Sequence, residues 1–401
     1  MVEKLYAHQK AFQKRMKDYM LLAHEGGTGK TVCACLWLKA GRDNNALVVC
    51  PKRVKKKWEE TLVEWGAKAQ VITKEEFMRI PYKQQSALVV DEADEFASPL
   101  FTKQRSQRAG RMYEFVRTYP TPTLLLTATP IRSTPWNLHT LLCFLRVYIP
   151  WQTWRERYFV LTERAYLPRP AYLPRKGWQK KMRPLIERYA DVILLRDCIG
   201  ELPPVTEKTI YMKEKSFHNP EWEGAAAFIA EHRHEQQEKE KEVLRIAQEY
   251  RKVIVVAHYV QQVKELQRIL SKERQTFCVY GAVKDQEKIV REAQEVDECF
   301  LILQASLGAG FDADTFSCII FASMSYRARD FVQMKYRVRR IQNLHPVSYY
   351  FIIGGKCDKA VKCAVNAGRD FLPSEWHELT PPSSPSKDQR SGYNTACSSL
   401  F

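Results

Sequence analysis

The run Ala87-Leu88-Val89-Val90 stops abruptly at Asp91-Glu92-Ala93-Asp94, about sixty residues after Gly27-Thr28-Gly29-Lys30-Thr31. A short apolar run without polar alternation suits a strand buried on both faces, as in a parallel sheet covered by helices. Carboxylates placed directly after such a strand stand at the carboxyl edge of the sheet. The glycine-rich loop follows a second apolar run, Met20-Leu21-Leu22-Ala23, and opens into Val32 to Ala40, which reads as a helix. Strand, loop and helix in that order bring the loop to the same edge, where the two motifs meet.

Together they imply phosphate chemistry. Gly26, Gly27 and Gly29, with Thr28 between them, let backbone N–H groups turn towards a triphosphate, and Lys30 neutralises its β and γ oxygens. The Thr31 hydroxyl and Asp91 are placed to hold Mg²⁺, while Glu92 polarises an attacking water. Taken singly, Gly-Thr-Gly-Lys-Thr is also compatible with a flexible turn, and Asp91-Glu92 with a solvated strand end. The full pattern G-x-x-x-x-G-K-[ST] asks for glycine where His24 stands.

With 401 residues the chain has room for two domains of ordinary size. Its 45% hydrophobic and 27% charged content describes a globular protein. No apolar segment has the length of a membrane span, and Glu3, Lys4 and His8 leave no signal-peptide core, so an intracellular location without a membrane partner is expected. A net charge of +17 favours a polyanionic partner, with a solubility charge as the plain alternative. Cys33, Cys35, Cys50, Cys143, Cys278 and Cys318 lie in apolar stretches and no C-x-x-C occurs, which reads as buried thiols.

Strand-like runs alternate with helical ones up to about Val147: Ala46 to Val49, Ala69 to Ile72, Ala87 to Val90 and Thr123 to Leu126. The alternation returns at Val253 to Val256, Phe277 to Tyr280, Phe300 to Leu303, Cys318 to Phe321 and Tyr349 to Ile352. Two parallel sheets are expected, with a first lobe over 1–150 and a second over 206–375. Residues 151–205 are set apart as an insertion and linker. Within them, Trp151 to Arg183 holds nine basic residues against Glu156 and Glu163, interleaved with aromatics. That stretch suits either a phosphate backbone or packing against its own lobe. Pro203-Pro204 marks a break, Glu221 to Lys252 reads as one long polar helix, and 376–401 reads as a disordered tail.

Gln333, Arg337 and Arg340 share one helical face at i, i+4 and i+7. Arginines there could reach a γ-phosphate from the second lobe. A solvated basic helix is the other reading, since Lys335 and Arg339 belong to the same charge run.

The ordered series resembles the superfamily-two helicases and, more closely, their Swi/Snf-like branch of double-stranded DNA translocases. Gln9 in Leu5-Tyr6-Ala7-His8-Gln9 looks like the adenine-reading glutamine, and Ala23 to Thr31 is similar to the branch's first motif, which also lacks the early glycine. Val48-Val49-Cys50-Pro51 with Trp58 resembles motif Ia, implying nucleic-acid contact by Lys52, Arg53 and Trp58. Leu124 to Ile131 resembles motif III, with Thr127 and Thr129 relaying between ATP and nucleic acid. Gln304 to Asp312 resembles motif V, and Gln333 to Arg340 resembles motif VI. These imply nucleotide contacts at Gly310, Asp312 and Gln333, and catalytic roles for Arg337 and Arg340 beside Lys30, Asp91 and Glu92.

The resemblance implies an α/β chain of two tandem RecA-like, doubly wound parallel-sheet lobes, with an ATP site in the cleft. It implies ATP and Mg²⁺ as cofactors and DNA, duplex above all, as partner. An RNA helicase is the first alternative. A nucleic-acid adaptor that holds ATP without turnover is the second.

Overall fold

The computed structural model describes residues 5–81, 83–102, 105–131, 134–162, 171–194, 204–212, 233–307, 313–339, 345–368 and 370–371. The chain divides into two units, with the boundary between residues 200 and 201.

In the first unit the strands are β1 (Tyr19–His24), β2 (Ala46–Cys50), β3 (Gln70–Thr73), β4 (Ala87–Val90), β5 (Thr123–Leu126), β6 (Phe159–Thr162), β7 (Ala171–Pro174) and β8 (Ala190–Ile193). The helices are α1 (Ala7–Gln13), α2 (Lys30–Lys39), α3 (Lys55–Trp65), α4 (Lys74–Phe77), α5 (Gln107–Thr118), α6 (Trp136–Phe144), α7 (Trp151–Tyr158) and α8 (Trp178–Tyr189). Six strands form one sheet in the order β3-β2-β4-β5-β1-β8, every neighbouring pair parallel. The remaining two, β6 and β7, form an antiparallel hairpin.

Both faces of this sheet are covered, which is why its central strands read as unbroken apolar runs. Leu21, Leu47, Val49, Leu88, Val90 and Leu125 pack with Met112, Phe115, Leu141 and Phe144 of α5 and α6. Their sequence neighbours Leu22, Val48, Val89 and Leu124 pack with Phe12, Trp37 and Trp58 of α1 to α3. The period of two therefore sorts each run between two cores. Local signals set the helix ends: Glu76 N–H donates to Thr73 Oγ1 at 3.1 Å and Glu76 Oε2 accepts from Thr73 N–H at 2.6 Å, a reciprocal cap for α4.

The stretch set apart on sequence contributes to the first unit. Trp154, Tyr158 and Phe159 are buried in its core, because Trp154 and Tyr158 are one helical turn apart and share a face of α7. Strand β8 then pairs alongside β1.

In the second unit β9 (Val205–Tyr211), β10 (Lys252–Ala257), β11 (Thr276–Val279), β12 (Cys299–Gln304), β13 (Cys318–Phe321) and β14 (Val347–Ile353) form a sheet in the order β11-β12-β10-β13-β14-β9, also parallel throughout. Its helices are α9 (Arg233–Ala247), α10 (Val260–Leu270), α11 (Gln286–Glu295), α12 (Ala328–Val338) and α13 (Lys356–Asn366). The polar helix expected to reach Lys252 ends at Ala247, and Lys252 opens β10 instead. Its start at Glu221 lies outside the described residues, as does the tail over 376–401. Among the described residues no helix is long and apolar enough to cross a membrane.

Leu125 lies fully buried on β5, between β1 and β4. Leu125→Ala is expected to cost about 2–5 kcal/mol. Urea titration should show an earlier first-unit transition; an unchanged midpoint would contradict this packing.

Candidate functional site

The phosphate-loop candidate runs from the end of β1 to the start of α2. Gly27 and Gly29 hold φ of 83° and 79°, a region closed to most side chains. A Cβ on Gly29 would come within 2.6 Å of Gln9 Nε2, so the tip of that side chain would have to shift. Gln9 is thereby placed on the loop's flank, its Oε1 accepting from Tyr6 N–H at 3.0 Å. His8 Nε2–H donates to the Thr28 carbonyl at 2.8 Å, and the Thr28 hydroxyl donates to the Glu25 carbonyl at 2.8 Å. Lys30 Nζ lies across the turn, donating to the carbonyls of His24 at 2.7 Å and Glu25 at 3.0 Å. Thr31 follows in the first turn of α2.

His24, the departure from the glycine pattern, is fully buried. Its Nε2–H donates to Asp191 Oδ2 at 2.9 Å, and Asp191 is paired in turn with Arg15 at 3.0 Å. The imidazole thus ties β1 to β8 and α1 below the loop. Sequence reasoning passed over Asp191 because its partner lies 167 residues away. Burial pushes the His24 pKa below its ordinary 6.5, with Lys30 and His8 adding to that push and Asp191 opposing it.

The acidic turn leaves β4. Asp91 N–H still donates to Val49 O at 2.8 Å, so its backbone is held by the sheet. One carboxylate oxygen accepts from Trp58 Nε1 at 2.9 Å and the other from Glu92 N–H at 2.9 Å. Glu92 sits at φ 50°, the left-handed region that costs a non-glycine residue strain. Lys74, 2% exposed on α4, donates to Glu95 at 2.6 Å and to the Glu92 carbonyl at 3.4 Å. No motif on sequence singled out that lysine; its only signal is a cation immediately after a strand. Asp94 is buried and accepts the Thr127 hydroxyl at 3.0 Å and the Thr129 hydroxyl at 3.4 Å.

Several expected nucleic-acid residues stand otherwise than read. Trp58 is 1% exposed, packed in the core with its indole N–H on Asp91, so no ring face is available to a base. Thr127 is likewise fully buried, its hydroxyl donating to Asp94. Lys52 is exposed and Arg53 half-buried in the turn before α3.

In the second unit α12 carries Gln333 and Arg337 one turn apart. Arg337 is 9% exposed, which removes it from a solvated basic face. The described helix ends at Val338, with Arg339 at ψ 87°. Arg340, Gly308, Gly310 and Asp312 lie outside the described residues. A cavity of about 620 Å³ at the carboxyl ends of β10, β12 and β13 is lined by His258, Tyr259, Gln304, Tyr326, Arg327 and Asp330 among others. Gln304 opens the stretch read as motif V, whereas Tyr326, Arg327 and Asp330 carry no motif signal.

Residues 238–342 match the model of the helicase conserved C-terminal domain. Among solved structures the chain is similar to S. cerevisiae Dbp5 bound to RNA and ADP BeF3, with 13% identity, TM-score 0.54, and coverage of 94% of this chain and 92% of that one. It is also similar to the Sulfolobus solfataricus SWI2/SNF2 ATPase core in complex with dsDNA, at 18% identity and TM-score 0.43 over 90% of each chain. No curated protein matches the sequence.

Burial holds the His24 pKa below its ordinary value, and the sign of the linkage follows. With the folded pKa below the unfolded 6.5, the stability contributed by burying His24 is present above 6.5 and is lost as pH falls through the folded value. His24→Gln keeps a donor for Asp191 and removes the titration. Denaturant unfolding between about pH 7.5 and 5.5 should show a shallower loss of first-unit stability in the variant; equal slopes would refute this account.

Proposed function

We propose that the chain is an ATP-hydrolysing nucleic-acid motor that moves along, or remodels proteins on, duplex DNA. The observation that carries this reading is the placement of Lys30 and Asp91 at one edge of the first sheet. Their strands are separated by β5 alone, which spaces them by about 10 Å. A glycine turn in the left-handed region beside one lysine, one hydroxyl and one carboxylate fits a triphosphate with Mg²⁺, which takes few protein ligands and several phosphate oxygens.

Bound ATP·Mg²⁺ would supply the anhydride bond whose hydrolysis drives movement. Lys30 exchanges its two carbonyl contacts for phosphate oxygens, and Gln9 reads the base from the loop's flank. Thr31 and Asp91 would hold the metal, with Trp58 and the Glu92 N–H aiming the Asp91 carboxylate. Glu92 orients the water. Asp94, Thr127 and Thr129 carry a change at the acidic turn to the exit of β5. The resemblance of motifs V and VI implies nucleotide contacts by Gly310, Asp312 and Gln333 and charge compensation by Arg337 and Arg340.

The basic charge of +17 and the helicase C-terminal domain over 238–342 support a nucleic-acid track, with Lys52 and Arg53 as phosphate contacts. The preference for duplex DNA rests on the likeness of motifs I, III and VI to the Swi/Snf-like branch. An RNA helicase is the alternative, and a non-hydrolysing adaptor the second.

Lys30→Ala and Glu92→Gln are each expected to lower nucleic-acid-stimulated ATP hydrolysis at least about a hundredfold, with the thermal midpoint retained. Full turnover in either variant would overturn the assignment. Stimulation measured with duplex DNA, single-stranded DNA and RNA decides the track: a response to RNA alone replaces the DNA reading, and tight ATP binding without turnover on any of the three replaces the motor.

A further inference from the structure

The hairpin of β6 and β7 displays a surface that nucleotide chemistry does not use. Its register sets Leu161 opposite Tyr172, so the two share one face. They are 55% and 43% exposed. An aliphatic and an aromatic side chain therefore stand together in solvent.

The stem beneath them is firmly seated. Phe159 is 2% exposed and stacks on Trp136 at 4.1 Å, and Trp136 stacks on Trp151 at 4.0 Å. Arg175 N–H donates to the Tyr158 carbonyl at 2.9 Å and its Nε–H to the Glu156 carbonyl at 3.2 Å, closing the base of the hairpin. One cation lies on the apolar pair and others stand on the segments that adjoin it. The Arg155 guanidinium lies 4.8 Å over the Tyr172 ring, while Arg157, Arg175, Lys176, Lys180 and Lys181 are exposed on the adjoining segments. Among the described residues of these segments the exposed carboxylates are Glu156 and Glu187, the latter paired with Arg183, so cations predominate and the face complements a partner that is both polyanionic and furnished with flat apolar groups. A nucleic-acid strand with unpaired bases has both properties. A paired duplex offers the charge but hides its ring faces.

We propose that the Leu161–Tyr172 face of this hairpin is a stacking site for an unpaired base, with the flanking arginines and lysines on its phosphates. The proposal rests on the nucleic-acid reading above and adds frayed or single-stranded segments to what the motor engages. Tyr172 supplies the ring, Arg155 holds that ring in place, and Arg157 and Lys176 supply charge without sequence preference.

The test is fluorescence anisotropy with a labelled single-stranded oligonucleotide and a blunt duplex, using the full chain, alongside basal ATP hydrolysis. L161S/Y172S should weaken single-strand binding roughly tenfold. Duplex affinity and basal hydrolysis should stay within about twofold, as for surface substitutions elsewhere. Y172F, which keeps the ring, should bind as the parent does. R157E/K176E should lower the slope of log affinity against log salt. Unchanged single-strand affinity in L161S/Y172S overturns the hairpin site alone if Lys30→Ala still abolishes hydrolysis. Equal weakening on single strand and blunt duplex also overturns it, since base stacking is then not what was lost. A parent chain that binds neither probe overturns this proposal and the nucleic-acid reading together.

Discussion

The parallel ladder joining β4, β5 and β1 is the constraint on which the first unit depends. Its registers, Leu88 with Thr123 and Tyr19 with Thr123, align three strands at one level. Their carboxyl ends consequently leave the sheet together. The glycine turn, the acidic turn and the Thr127–Thr129 segment are the three loops that emerge there. None of their side chains needs to search for the others, because the backbone hydrogen bonds have already set the spacing. Shifting one strand by a residue would exchange its two core faces and carry its loop away from the edge.

Much of this was legible in the sequence, for a physical reason. Central strands of a covered parallel sheet must be apolar on both sides, so Leu21, Val48, Val89 and Leu125 announce themselves as members of continuous runs. Edge strands escape that demand. β9, Val-Thr-Glu-Lys-Thr-Ile-Tyr, and β8, Ala-Asp-Val-Ile, lie at sheet edges and carry polar residues among apolar ones. Their positions became clear only through pairing with β14 and β1. The aromatic residues of α7 posed the opposite problem: Trp154 and Tyr158 look like nucleic-acid contacts beside so many arginines, yet they fill the core.

The candidate site divides along similar lines. Residues proposed for their position in a motif, such as Lys30, Thr31, Asp91 and Glu92, are named from spacing alone. Residues that act by holding those groups could not. His8 on the Thr28 carbonyl, Lys74 on the Glu92 carbonyl and Asp191 on His24 each depend on tertiary proximity. Trp58 belongs to both classes. Its motif was recognisable, but its role as a donor to Asp91 emerged only when the ring was seen to point inward.

The last carboxylate of the acidic tetrapeptide is engaged by two hydroxyls from the exit of β5. A buried Asp94 facing Thr127 and Thr129 ties three codons in two distant stretches of the gene to one another. Loss of the carboxylate alone would take from the buried Thr127 hydroxyl the acceptor it has here. The three positions are therefore coupled, so that a change at one alters what the other two can bond in descendants of this chain.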